Sequence, residues 1–178
     1  MTELQYPVGK FERQIEYHPS EIAQFIQILE QLPAQMRAAV SGLTDAQLET
    51  KYREGGWTLR QVVHHVPDSH MNSFVRFKLA LTEENPTIKP YDEGAWALLP
   101  DSSLPAQVSL DLLEALHARW VILLRSIKPQ DWKRTFNHPE NGPMTLEFAL
   151  ALYAWHSRHH LAHITKTRER LGWSSQMT

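Results

Sequence analysis

The sequence predicts an all-α fold, a four-helix bundle. Three observations lead there: apolar residues recur at helical spacing in four long stretches, no convincing run alternates with period two, and caps, prolines and glycines stand where those stretches begin and end. Residues 1–178 read as one domain, in which 1–18 form an irregular N-terminal arm around YPVG.

The first helix starts near Ser20 and places Ile22, Phe25, Ile26, Leu29 and Leu32 on one face. Pro33 is expected to kink it before it ends at about Val40. Thr44 and Gln47 form a capping box for a short turn. Thr58, with Gln61 three residues on, caps a second helix that runs to about Leu81. ENPTIKPYDEGAW, residues 84–96, reads as an ordered loop. A third helix spans roughly 107–126 and presents Leu110, Leu113, Leu116, Trp120, Leu123 and Leu124. Pro129 opens a short helix through Trp132, and HPENGP at 138–143 is a turn. Thr145 caps the last helix, which Gly172 ends. Four long helices with these connections favour an antiparallel arrangement.

Composition narrows the function. The chain has 18 basic and 20 acidic residues spread along it, a net charge of −2 and no cysteine. No basic stripe is available for a phosphate backbone, so nucleic acid is not the expected partner, and no segment has the length of a membrane span. MTELQYPVGKFERQ lacks the basic-then-apolar order of a signal peptide, and the cytoplasm is the expected compartment.

The chemistry concentrates in histidine. WHSRHHLAHI sets His156, His159, His160 and His163 on the last helix. At about 100° per residue, His156, His160 and His163 fall within roughly 60° of one another, with His159 slightly further round. Ala149, Leu152, Tyr153 and Ile164 project onto the same face, so the stripe that should be buried is the one bearing imidazoles. Unpaired imidazoles there would be costly. On the second helix, Gln61, His65, Ser69, Asn72 and Arg76 line up beside the apolar stripe, as suits the wall of a wet cavity, while His64 turns toward solvent. His18, His117 and His138 are isolated and read as structural, and Trp57, Tyr91, Asp92, Trp96 and Trp173 read as packing or loop-fixing residues. Asn72 and Arg76 also fit a solvated helix edge.

Histidines at i, i+4 suit zinc or nickel, because one helical turn brings two ring nitrogens to one ion. A third ligand from another helix would leave a position open, where water can lose its proton near neutral pH. Spacing alone does not choose between His156 with His160 and His159 with His163.

GGWTLRQVVHHVPDSHMNSFVRFKLALTEENPTIKPYDEGAW and LYAWHSRHHLAHI together resemble the DinB-like superfamily, and within it the YfiT branch of metal-dependent hydrolases related to bacillithiol transferases. The resemblance spans nearly the whole chain. It implies a four-helix bundle holding zinc or nickel through His65, His156 and His160, with His163 one turn on as an orienting or substrate-binding group beside Asn72 and Arg76. It implies a hydrolase acting on a small-molecule substrate, or a thiol S-transferase with bacillithiol as co-substrate. Together with the tryptophan-rich loops, it points to a homodimer. A non-catalytic metal or small-molecule binding protein and a purely structural bundle are the readings from other classes. The chain departs from the branch where relatives read HLAD and it reads His65-Val66-Pro67-Asp68, which predicts a kink beside the first ligand.

Overall fold

A computed structural model describes residues 2–173; Met1 and residues 174–178 of the expected domain lie outside the described residues. Short helices and turns frame four long helices. In chain order they are α1 (Thr2–Gln5), α2 (Pro19–Val40), α3 (Asp45–Leu48), α4 (Leu59–Thr82), α5 (Glu93–Trp96), α6 (Ala106–Ser126) and α7 (Leu146–Arg170), with 3-10 turns at Pro100–Ser103 and Pro129–Lys133.

The caps do what their chemistry predicts. Thr58 Oγ1 accepts from the Gln61 amide at 3.1 Å while Gln61 Oε1 accepts from the Thr58 amide at 2.9 Å, closing the box that starts α4. Thr44 and Gln47 repeat it for α3. His18, expected to be merely structural, is the N-cap of α2 through Nδ1, with Glu21 as the reciprocal partner. Gly172 adopts φ +67° just past α7, and the Trp173 amide bonds back to the Arg168 carbonyl.

Several expectations are corrected. The arm is helical at its tip, in α1, and α5 interrupts the 84–96 loop. A short hairpin, β1 (Thr135–His138) with β2 (Gly142–Thr145), flanks the predicted turn and pairs Phe136 with Met144. Strands this short offer too few alternating positions to register as a pattern, and Gly142 at φ +74° permits the turn.

Another correction concerns topology. Each of α2 and α4 packs on both α6 and α7, so α2 lies diagonally across from α4, and α6 from α7. Contacts fix the directions. Arg60 reaches the Leu104 carbonyl, His64 bonds Ser109 and His70 bonds His117, so α4 and α6 run parallel. Ser69 meets Tyr153 and His65 meets His156, which makes α4 and α7 antiparallel. Arg37 with Asp111, and Glu30 with Arg125, make α2 and α6 antiparallel. The bundle is therefore up, down, down, up rather than alternating. Residues 83–105 provide the crossover that two consecutive parallel helices require.

The core divides in two. Leu29, Phe74, Phe77, Trp120, Leu124, Leu146 and Leu150 fill one end, and Leu32, Met36, Leu59, Val62, Leu113 and Ile164 fill the other. The buried histidines of α4, α6 and α7 lie between these groups in sequence on every helix that bears them. His64 is corrected as well: it is buried, its Nδ1 2.6 Å from Ser109 Oγ and its Nε2 2.9 Å from the Leu104 carbonyl. Helix arithmetic gives a direction around α4, and the parallel placement of α6 is what covers that direction. Among the described residues, no helix is long and apolar enough to cross a membrane.

Pro33 and Pro67 both lie inside unbroken helices, and both are buried. Pro67→Ala supplies an amide opposite the Val63 carbonyl. The proline penalty of about 3 kcal/mol, less two ring methylenes at about 0.8 kcal/mol each, leaves a gain of about 1 kcal/mol. Thermal unfolding should show a higher midpoint; a lower one would mean that ring packing outweighs the lost bond.

Candidate metal centre

The antiparallel contact of α4 with α7 brings His65 against His156 and His160. One ligand atom from each lies within 4.8 Å of the others, and His65 Nε2 is 3.2 Å from His156 Nε2. Two imidazole nitrogens bound tetrahedrally to one zinc at 2.0–2.1 Å stand about 3.3 Å apart. The pair already has the separation a shared ion needs. His159, His160 and His163 form a second group that meets the same 4.8 Å limit, drawn wholly from α7. The helical spacing thus brings both candidate pairs together.

A cavity of about 450 Å³ opens in front of both groups. His65, His156, His159, His160 and His163 line it, with Ser69 from α4 and Trp57 and Tyr91 from the flanking loops. Trp57 lies 4.6 Å from the His65 ring, and Tyr52 stacks on His163 at 3.9 Å. The arm closes one side: Tyr6 is on the wall, and His163 Nε2 donates toward the Gln5 carbonyl at 3.3 Å. These aromatic and arm residues are wall residues, which packing considerations alone could not assign.

Asn72 and Arg76 do not line the cavity. The Asn72 amide turns back to the Asp68 carbonyl, 2.9 Å away on its own helix. Ser69, between them and His65, does reach the centre. Tyr153 donates its hydroxyl proton to the Ser69 carbonyl at 3.1 Å, and its oxygen lies 3.2 Å from Ser69 Oγ. Ser69 Oγ also lies 3.4 Å from His156 Nε2, so its hydroxyl links Tyr153 to the ring nitrogens at the cavity. His70 is the residue sequence reasoning passed over. It is fully buried and bonds both His156 and His117. Its spacing of five from His65 puts it off the ligand face, and only the α6 partner reveals it.

Burial dominates the electrostatics. Desolvation pushes His65 down to about 4, helped by His159, and holds His156 and His160 well below the ordinary imidazole value, with the neighbouring rings adding to the shift. His159 and His163 are also lowered to about 4, mainly by burial. All five rings are neutral at pH 7, the state in which nitrogen can bind a metal. Arg53 and Glu93 are the charged residues on the wall. The larger groove of about 670 Å³ between α2 and α6 holds Arg37 and Arg125 already paired with carboxylates, and gathers no comparable donor set.

The chain resembles known proteins over nearly its whole length. Residues 28–164 match the DinB superfamily model. A Bacillus mycoides protein named "Putative metal-dependent hydrolase" is 57% identical over 173 residues, covering 97% of this chain and all of its own length, and a Bacillus cereus protein of the same name matches equally. YfiT from Bacillus subtilis, described as a probable metal-dependent hydrolase with an unusual four-helix bundle topology, superposes with a TM-score of 0.94 at 52% identity, over 97% of this chain and 99% of its own. TT2238, a four-helix bundle protein, shares the fold at a TM-score of 0.54 and 22% identity, over 86% of this chain and 99% of its own. With the family model matched across the bundle and relatives this similar end to end, the chain belongs to the DinB superfamily, in the branch that contains YfiT.

Proposed function

We propose that the protein is a metal-dependent hydrolase of small molecules whose His65, His156 and His160 hold one divalent ion, zinc or nickel. The observation behind this reading is the meeting of three neutral ring nitrogens from two helices on the wall of a 450 Å³ cavity. The names of the relatives support it.

His65, His156 and His160 are favoured over the group on α7 alone because the latter's rings have other duties. His163 is stacked on Tyr52 and tied to the Gln5 carbonyl, and His159 is stacked on Trp155 at 4.5 Å. His163 instead orients His160: its Nδ1 lies 3.4 Å from His160 Nδ1, so the two rings share a proton. When bound, a divalent ion supplies Lewis acidity that lowers the pKa of a water or thiol beside it. Ser69 offers its oxygen to the proton of such a nucleophile, held in place by Tyr153. Trp57 and Tyr52 limit water around the ligand rings, and Arg53 gives the wall a cation for an anionic substrate group.

Cavity size favours a second reading. A volume of about 450 Å³ accommodates a low-molecular-weight thiol as well as a small electrophile, which fits a thiol S-transferase using bacillithiol. Metal-loaded protein incubated with a chlorobimane, with and without bacillithiol, separates the two. Turnover that requires the thiol supports transfer, and turnover indifferent to it rejects transfer in favour of hydrolysis.

Elemental analysis of protein purified without a tag or added metal should find one zinc or nickel per chain. His156→Ala and His160→Ala should each lose it; unchanged content in both would remove the metal centre.

The pH dependence of the metal-free protein follows from the same burial. Nine of the ten histidines have folded values below the ordinary 6.5. Below pH 6.5 the unfolded chain therefore binds more protons than the folded one, so stability is full above that value and is lost as pH falls toward 4. Each fully buried ring costs up to about 1.4 kcal/mol per pH unit in that window, and a few such rings exhaust a typical stability of about 5–15 kcal/mol. Asp68, raised to about 6 by burial, opposes the trend with one group. Circular dichroism should show cooperative unfolding of the apoprotein between about pH 6 and 4; a structure stable to pH 4 would contradict neutral burial.

A further inference from the structure

We propose that His70 and His117 are positioning residues that lock His156 in the tautomer with Nδ1 protonated and Nε2 bare. This rests on the metal-centre reading above and adds two residues to it, neither of which touches the cavity.

The chain of contacts crosses all four long helices. His156 Nδ1 on α7 lies 3.2 Å from His70 Nε2 on α4. His70 Nδ1 lies 2.9 Å from His117 Nε2 on α6. His117 Nδ1 lies 2.6 Å from the Leu29 carbonyl on α2. His70 is fully buried and His117 nearly so.

Only one uncharged arrangement of protons satisfies these contacts. A carbonyl oxygen accepts and never donates, so His117 Nδ1 carries a proton. A second proton on His117 Nε2 would force His70 Nδ1 to be bare, and its ring would then have to donate from Nε2 into His156 Nδ1. That places an unpaired charge beside neutral rings with no carboxylate among the hydrogen-bond partners of the three, a costly state in the interior. The neutral solution runs in one direction. His117 Nε2 accepts from His70 Nδ1–H, His70 Nε2 accepts from His156 Nδ1–H, and His156 Nε2 is left as a lone pair facing His65 Nε2 at 3.2 Å.

The terminus of the chain distinguishes orientation from proton conduction. A wire must end at a group that exchanges protons, whereas this one ends on a backbone carbonyl that α2 holds rigidly. His117 borders the groove between α2 and α6, yet its outer nitrogen is committed inward to Leu29. The chain therefore fixes a direction and conducts nothing. Removal of an orienting partner behind a ligand histidine typically weakens metal binding about 10–100-fold.

The test has one arm on the wild-type protein and one on variants. Long-range proton–nitrogen correlation spectra of ¹⁵N-labelled apoprotein at pH 7.5 should show His156, His70 and His117 all protonated at Nδ1. Protonation of His156 at Nε2 would overturn the proposal without involving any metal. Cobalt(II) titration, followed by visible absorption, should show His70→Leu binding about 10–100-fold more weakly than wild type, with altered ligand-field bands. His70→Gln should bind close to wild type, since its amide oxygen can accept from His156 while its amide nitrogen donates to His117. Equal cobalt affinity in His70→Leu and wild type would reject the positioning role alone. If wild type itself binds no cobalt, the metal centre fails, and the tautomer spectra still decide the lock. Should His70→Leu fail to fold by far-ultraviolet circular dichroism, the spectra and the Gln variant decide the outcome.

Discussion

Neutral imidazole has to be buried in quantity here, and each buried ring needs somewhere to send its one proton. That constraint shapes the middle of the bundle. His64 meets Ser109 and the Leu104 carbonyl, His163 meets the Gln5 carbonyl, and His117 meets the Leu29 carbonyl. The acceptor of each ring proton is a backbone carbonyl, and Ser109 Oγ donates to the bare Nδ1 of His64. Carboxylates would hold the rings as imidazolium, whereas neutral acceptors leave them uncharged with one nitrogen free. His159 Nδ1, buried with no hydrogen-bond partner among the described residues, is the one orphan nitrogen in this set.

The same constraint gives the topology a purpose. A polar layer between two apolar clusters costs stability unless each member is satisfied. Satisfaction requires the layer's histidines to come level on different helices. Parallel α4 and α6 keep pairs such as His64 with Ser109 and His70 with His117 in step, while antiparallel α7 brings His156 level with His65 and His70. An alternating bundle with short loops would put consecutive helices in antiparallel contact and break that alignment. The long connection at 83–105 is the structural consequence, and it supplies Tyr91 and Glu93 to the cavity wall.

Much of this was legible in the sequence because it is local. The four helices, the caps at Thr44, Thr58 and Thr145, and the C-terminal glycine follow from residues within a few positions of one another. The imidazole face of α7 is likewise a matter of helical phase. What was not legible depends on neighbours distant in sequence. His64 reads as exposed until α6 is laid beside it, and His70 reads as nothing until His117, 47 positions later, is placed opposite. Asn72 and Arg76 share the phase of His65, yet the cavity ends at Ser69, since its depth depends on where the arm and the 84–96 segment close over it. Which i, i+4 pair meets an α4 histidine depends on where α4 lies, and it sets His65 beside His156 and His160.

The charge balance of the site follows from the donor set. In the proposed reading, three neutral imidazoles would leave the full 2+ of a divalent ion uncompensated, with neutral rings behind them. A carboxylate ligand or a carboxylate behind a ligand would have cancelled part of that charge. The wall adds one cation and one anion, Arg53 and Glu93, which offset each other to first order. A site of that kind would gain most from an anion arriving in the cavity, because the attraction would act in a partly desolvated space where Coulomb energies are larger than in water. In that reading, specificity would come from shape and from the few polar groups on the wall, chiefly Ser69, Tyr91 and Arg53, rather than from charge discrimination at the ion itself.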